Sequence, residues 1–115
     1  MEFITTAKAS TVVLQLNGRF DAYAVEPVHA WLQEQIDLGN INVVVNLEGV
    51  NFMDLTALST LMRGLKQCRE KYGDLSLCCL QPPVRLIFEL TQLDQVFHIY
   101  ETEDEANENV RGLNQ

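Results

Sequence analysis

The stretch Ile41–Leu47, INVVVNL, constrains the fold of this chain more than any other. It is the most β-branched segment, and side chains branched at Cβ are at home on a pleated surface. Around Val43–Val45 apolar side chains fall on both faces, which predicts a central strand covered on at least one side. A strand of that kind needs helices packed over it, and its neighbours carry helical periodicity. From Ala24 to Leu38 the apolar positions Val25, Val28, Leu32 and Ile36 recur at helical spacing, with Pro27 near the start and Gly39 just past the end. After the strand, Leu58, Leu61, Met62, Leu65, Cys68 and Tyr72 form one predicted stripe, while Arg63, Lys66, Gln67 and Glu70 face away. Gly73 is expected to stop this second helix.

The rest of the chain continues the alternation. Val12, Leu14 and Leu16 alternate with Val13, Gln15 and Asn17, which reads as a strand ending at Gly18, with Phe3–Thr6 as an edge strand beside it. Leu75, Leu77 and Cys79 alternate with Ser76 and Cys78 in another strand. Pro82 and Pro83 open a short helix through Leu90, and a small strand follows around Phe97–Tyr100. Thr102 begins TEDE, a capping box with Glu105, and predicts a final helix with Ala106, Val110 and Leu113 on its apolar face. The order β-β-α-β-α-β-α-β-α defines an α/β domain. Right-handed crossovers then imply a mixed, mostly parallel sheet of about five strands packed against about four helices. With 115 residues the chain is expected to form a single domain over 1–115.

Composition narrows the function. A net charge of −8 argues against nucleic-acid binding, which needs a basic face, and less strongly against an anionic membrane surface; it fits a soluble protein that meets a basic partner. Cys68, Cys78 and Cys79 are odd in number, and two are adjacent, so neither a disulfide framework nor a zinc site is expected. Burial as small apolar side chains is the expectation for all three. MEFITTAKAS lacks the basic start and apolar core of a signal peptide, and no apolar run approaches the ~20 residues that span a bilayer. The expected location is the cytoplasm.

Chemistry concentrates at NFMDLTALSTL, 51–61, where the apolar run gives way to an aspartate, a threonine and a helix. In such folds functional groups gather where strands end and helices begin. Three readings are open. Asp54 can be a simple N-cap, with Leu55, Thr56 and Ala57 as the first helical residues. It can be a phosphoacceptor aspartate, but that chemistry needs Mg²⁺ and a second cluster of carboxylates, for which only Asp21 is available. Neither His29 nor His98 sits in a catalytic constellation, so no catalytic residue, metal or cofactor is expected. In the third reading Thr56 accepts a phosphate, because a helix N-terminus holds unpaired N–H groups and the positive end of a dipole.

Three segments resemble one family in order and at fitting separations. GRFDAYAVEP at 18–27 is similar to its G-x-L/F-D-A segment, and NLEGVNFMDLTAL at 46–58 to its D-L-S-x-V-x-F-I-D-S-S-G-L signature. PPVRLIFELTQLDQVFHIYETEDEA at 82–106 follows its C-terminal pattern, including L-T-x-L-D. The chain thus resembles the STAS domain family, in particular the small anti-sigma factor antagonists of bacteria. The resemblance implies partner switching. The unmodified antagonist binds an anti-sigma factor that is also a serine/threonine kinase, the kinase phosphorylates it, and a phosphatase resets it. Thr56 matches the acceptor, with Ser59 a weaker candidate, and Asp54 and Asp21 match the two aspartates around it. The implied partner face comprises Asp21, Ala22, Asp54, Leu55, Thr56, Ala57, Ser59, Met62, Arg63 and Lys66. Where the family has S-S-G, this chain has Leu55, Thr56 and Ala57. Leu55 would enlarge an apolar contact, and Ala57 would narrow the approach of a foreign backbone. A STAS module holding a permanent partner, and a binder of small molecules or nucleotides, remain as alternatives. The second lacks a glycine-rich phosphate loop.

Overall fold

A computed structural model describes residues 1–8 and 11–113. Its elements are β1 (Glu2–Lys8), β2 (Thr11–Phe20), α1 (Val25–Asp37), β3 (Asn42–Met53), α2 (Leu55–Glu70), β4 (Asp74–Cys78), α3 (Pro82–Leu90), the 3₁₀ turn η1 (Leu93–Gln95), β5 (Ile99–Tyr100) and α4 (Glu103–Leu113). The sheet order is β1-β2-β3-β4-β5. β1 pairs antiparallel with β2 and every other pairing is parallel. The α/β class, the mixed sheet of five strands and the four helices are those predicted.

One face of the sheet carries the main core. Leu14, Leu16, Val43, Val45, Leu75 and Leu77 pack there with Val28 and Leu32 of α1, Leu58 and Leu61 of α2, and Val84 and Phe88 of α3. On the other face Val13, Val44 and Cys78 are covered by Ala106 of α4. β3 is thus covered on both sides, which is why its valines alternate with nothing polar. Val110 and Leu113 of the last helix have side chains outside the described residues. Thr102 caps α4 by accepting from the Glu105 N–H at 3.1 Å, while its hydroxyl lies 3.4 Å from the Glu105 carboxylate.

Three expectations change. β2 does not end at Gly18, and β3 does not end at Leu47. The β2–β3 register passes from Gln15↔Asn46 to Asn17↔Gly49 to Arg19↔Phe52, so β3 contributes one extra residue at each step. These two bulges convert the two-residue period into a spacing of three, and Leu47, Val50 and Met53 are all buried. Gly18, at φ 110°, belongs to this irregular stretch of β2 rather than to its end. The third change concerns Tyr72, which does not join the apolar stripe. α2 stops at Glu70, and Tyr72 takes φ 67° and is 91% exposed. The left-handed residue after the helix is therefore a tyrosine. Gly73 is demanded by close approach instead, since a Cβ there would run into the Ile41 carbonyl.

Cys68 and Cys78 are buried and Cys79 is half-buried, against the expectation of burial for all three. Burial pushes the Cys68 thiol up to about 12, with the nearby Asp74 carboxylate adding to the shift. Cys78 is raised further, by burial first.

Two outcomes follow. Gly73→Ala should lower stability by about 1–3 kcal/mol, as overpacking does, measured by urea denaturation against wild type. In native protein at pH 8, Cys68 should stay unmodified by a thiol reagent and react only on unfolding; modification of Cys68 at the free-thiol rate would contradict the packing described.

Candidate functional site

The bulges matter because they carry β2 and β3 to a common end. Phe20 pairs with Met53, both buried, so the next residues, Asp21 and Asp54, leave the sheet side by side. The Asp54 N–H reaches the Phe20 carbonyl at 3.3 Å. Its carboxylate then works in two directions. Oδ1 accepts from the Ala57 N–H at 2.9 Å, which makes Asp54 the N-cap of α2, and Oδ2 accepts from the Ala22 N–H at 2.9 Å in the β2–α1 loop. Asp21 organises the same loop. Its Oδ1 accepts from the Tyr23 N–H at 3.1 Å, and its Oδ2 lies 3.5 Å from Arg19 Nε. The Arg19 guanidinium also stacks over Phe52 at 3.9 Å.

The cap reading of Asp54 therefore holds, with Leu55, Thr56 and Ala57 as the first three helical residues. Leu55 is 74% exposed, and Thr56 and Ser59 are exposed. At 100° per residue, Thr56, Ser59, Met62, Arg63, Lys66 and Leu55 fall within an arc of about 120° on α2. Met62 is half-buried there, and Arg63 and Lys66 are exposed. Ala57 departs from the expected face. It is fully buried, and what it contributes is its N–H to Asp54. On the inner side, Thr60 is buried and donates its hydroxyl to the Thr56 carbonyl at 3.0 Å. The structure thus brings Asp21, Ala22 and Asp54 together with the start of α2, and sets the remaining residues along one side of that helix.

Sequence reasoning missed the far wall of this surface. An open groove of about 950 Å³ runs beside α2, and its opposite side is formed by Thr91, Leu93 and Val96 around η1. Arg69 ties the two walls, donating from Nε to Asp74 at 3.1 Å and from Nη2 to the Val96 carbonyl at 2.9 Å. Asp74 is buried and also meets His98 Nδ1 at 2.7 Å. No periodicity announced Leu93 and Val96, because a three-residue turn has no repeat to read. Tyr23, 97% exposed beside Ala22, was also missed.

The site thus consists of two acidic strand ends, one of them capping an exposed helix start, and the described residues hold no cluster of three or more potential metal ligands. The chain belongs to the STAS domain family, whose model matches residues 2–106. It is 30% identical over 104 residues to an anti-sigma F factor antagonist of Lysinibacillus sphaericus, covering 90% of this chain and 88% of that protein. An anti-sigma-B factor antagonist of Staphylococcus aureus is 27% identical over 97 residues, covering 84% and 90%. Among solved structures, the anti-sigma factor antagonist SpoIIAA in its unphosphorylated form superposes with a TM-score of 0.85 at 28% identity, over 96% of this chain and 97% of that one. The phosphorylated form of the Bacillus cell fate determinant SpoIIAA gives 0.77 at 26% identity, over 95% and 99%. No helix among the described residues is long and apolar enough to cross a membrane.

Asp54→Ala should cost about 1–2 kcal/mol through loss of the cap. It should also speed hydrogen exchange at the Ala22 N–H, whereas Asp54→Ser, which can still cap, should restore stability but not the Ala22 bond. Unchanged exchange at Ala22 in both variants would contradict the bridging role.

Proposed function

We propose that this chain is an anti-sigma factor antagonist-like regulator that works in the cytoplasm by partner switching. Unmodified, it binds an anti-sigma factor that is also a serine/threonine kinase; phosphorylation of Thr56 releases that partner, and a phosphatase resets the switch. It performs no chemistry of its own and uses neither nucleic acid nor membrane. The observation that carries the reading is the pair of hydrogen bonds that the Asp54 carboxylate accepts. One carboxylate holds the Asp21–Ala22 loop and the start of α2 in a single surface, and Thr56 stands exposed in the first turn of that helix.

The physical consequences support a switch. A phosphate adds about −1.5 to −2 charges, and the N-terminal end of a helix tolerates an anion. Modification would therefore change the surface without unfolding the domain. The similarity to SpoIIAA, whose structure exists in unphosphorylated and phosphorylated forms, supports the same reading.

Site-mapped mass spectrometry on protein from its native cells should find a phosphate on Thr56 that comes and goes with growth condition, with Ser59 the lesser site. Thr56→Ala should fold and bind the partner constitutively. Thr56→Glu should bind it at least about tenfold more weakly, because juxtaposed like charges cost several kcal/mol. No phosphate under any condition, with Thr56→Glu binding as wild type, would leave a STAS subunit that holds a permanent partner.

A further inference from the structure

The groove beside α2 has a chemistry that the overall composition conceals. The chain carries 8 Lys and Arg against 16 Asp and Glu, yet Arg63, Lys66, Arg69 and Lys71 fall together, with Glu70 the lone acid among them. Arg63, Lys66 and Arg69 line the groove, with Glu70 the one acid in its lining. Arg69 is engaged by Asp74 and the Val96 carbonyl. Arg63 and Lys66 are exposed and have no ion-pair partner among the described residues. Between the walls the surface is apolar, with Leu55 74% and Val96 37% exposed above the buried Leu58 and Leu65.

We infer that this groove receives an amphipathic helical segment of the partner, apolar on one side and acidic along its flank. The inference rests on the reading of α2 as the partner face, and it specifies what that face takes. The sixteen residues of α2 give a wall of about 24 Å at 1.5 Å per residue, the length of a helix of four to five turns. Helices dock in such grooves through side chains at i, i+3, i+4 and i+7. The free cations Arg63 and Lys66 lie one turn apart on one side of the groove, where an acidic flank would meet both. Arg69 fixes the separation of the walls, so the groove is formed before anything enters it. A basic segment, which the net charge of −8 alone would favour, meets the wrong sign here.

The test uses the full chain, ¹⁵N-labelled and unmodified, with three synthetic four-turn peptides. One has leucines at i, i+3, i+4 and i+7 and glutamates on its flanks; the second replaces the glutamates with lysines; the third replaces the leucines of the first with serines. The glutamate peptide should shift the amide signals of Ser59, Arg63 and Val96 and bind about tenfold more tightly than the lysine peptide at low salt, because the first meets Arg63 and Lys66 with opposite charge and the second with like charge. Arg63→Glu combined with Lys66→Glu should abolish that preference, and the serine peptide should not bind. Equal binding of the lysine peptide, or shifts mapping to another face, would overturn the inference. Thr56 stays unmodified throughout, so that failure would leave the phosphorylation switch intact. Absence of phosphate on Thr56 in cells would leave the groove assignment standing.

Discussion

The candidate site hangs on one carboxylate. Without the Phe20–Met53 pairing, Asp54 would be an ordinary helix cap at the end of a strand; with it, the second oxygen reaches across to the Ala22 N–H. The two bulges in β3 make this possible. They let β2 and β3 run on past the helix-covered core while Leu47, Val50 and Met53 still point inward. Loop, cap and helix start are consequently tied through one side chain, and a charged acceptor makes stronger hydrogen bonds than a neutral one. The exposed Thr56 hydroxyl lies in the first turn of α2, directly beside this junction.

A second constraint acts on the other side of α2. Asp74 is buried at the start of β4 and accepts from Arg69, whose guanidinium continues to the Val96 carbonyl. A buried carboxylate without such partners would cost far more than a surface one. The contact therefore secures Arg69, and through it the distance between α2 and the η1 turn. The two ends of α2 are held by acids of different role. Asp54 satisfies the Ala57 N–H in the first turn of the helix, and Asp74 holds a cation in its last turn, where a positive charge also suits the dipole.

The fold was legible wherever a period ran undisturbed. The valines of β3, the stripe Val28, Leu32 and Ile36 of α1, and the Thr102 cap all gave their elements directly from spacing. Legibility failed where the period changed. The three-residue spacing of Leu47, Val50 and Met53 departs from the strand period, and the bulged pairing with β2 explains it. Tyr72 continues the α2 stripe in sequence but lies beyond the helix, because Gly73 must pass the Ile41 carbonyl and the chain turns early. Of the site, Asp21, Asp54, Thr56 and the outward side of α2 could be marked from the sequence. The wall at Leu93 and Val96 could not, since its place beside α2 depends on Arg69 reaching a backbone carbonyl twenty-seven residues away. Net charge is silent in the same manner: a sum over the chain says nothing of where its few cations gather.

Thr56 and the groove make physical sense together. Thr56 and Arg63 are seven residues apart, two turns along the same side of α2, so a phosphate on Thr56 would stand at the mouth of the groove beside Leu55 and Ser59. In the free domain that phosphate would be hydrated, and the first-turn N–H groups would offset part of its charge. Against an acidic helix seated in the groove it would be a like charge pressed into a surface from which water is leaving. There the effective dielectric falls and the Debye length of about 8 Å gives little protection. Any attraction of the phosphate for Arg63 would act in the same direction, by drawing away a cation that the incoming flank needs. A basic partner would experience the opposite sign and be recruited by the modification. If the groove takes an acidic helix as proposed, its sign would decide whether a phosphate at Thr56 releases the partner or holds it, and Arg63 and Lys66 would favour release.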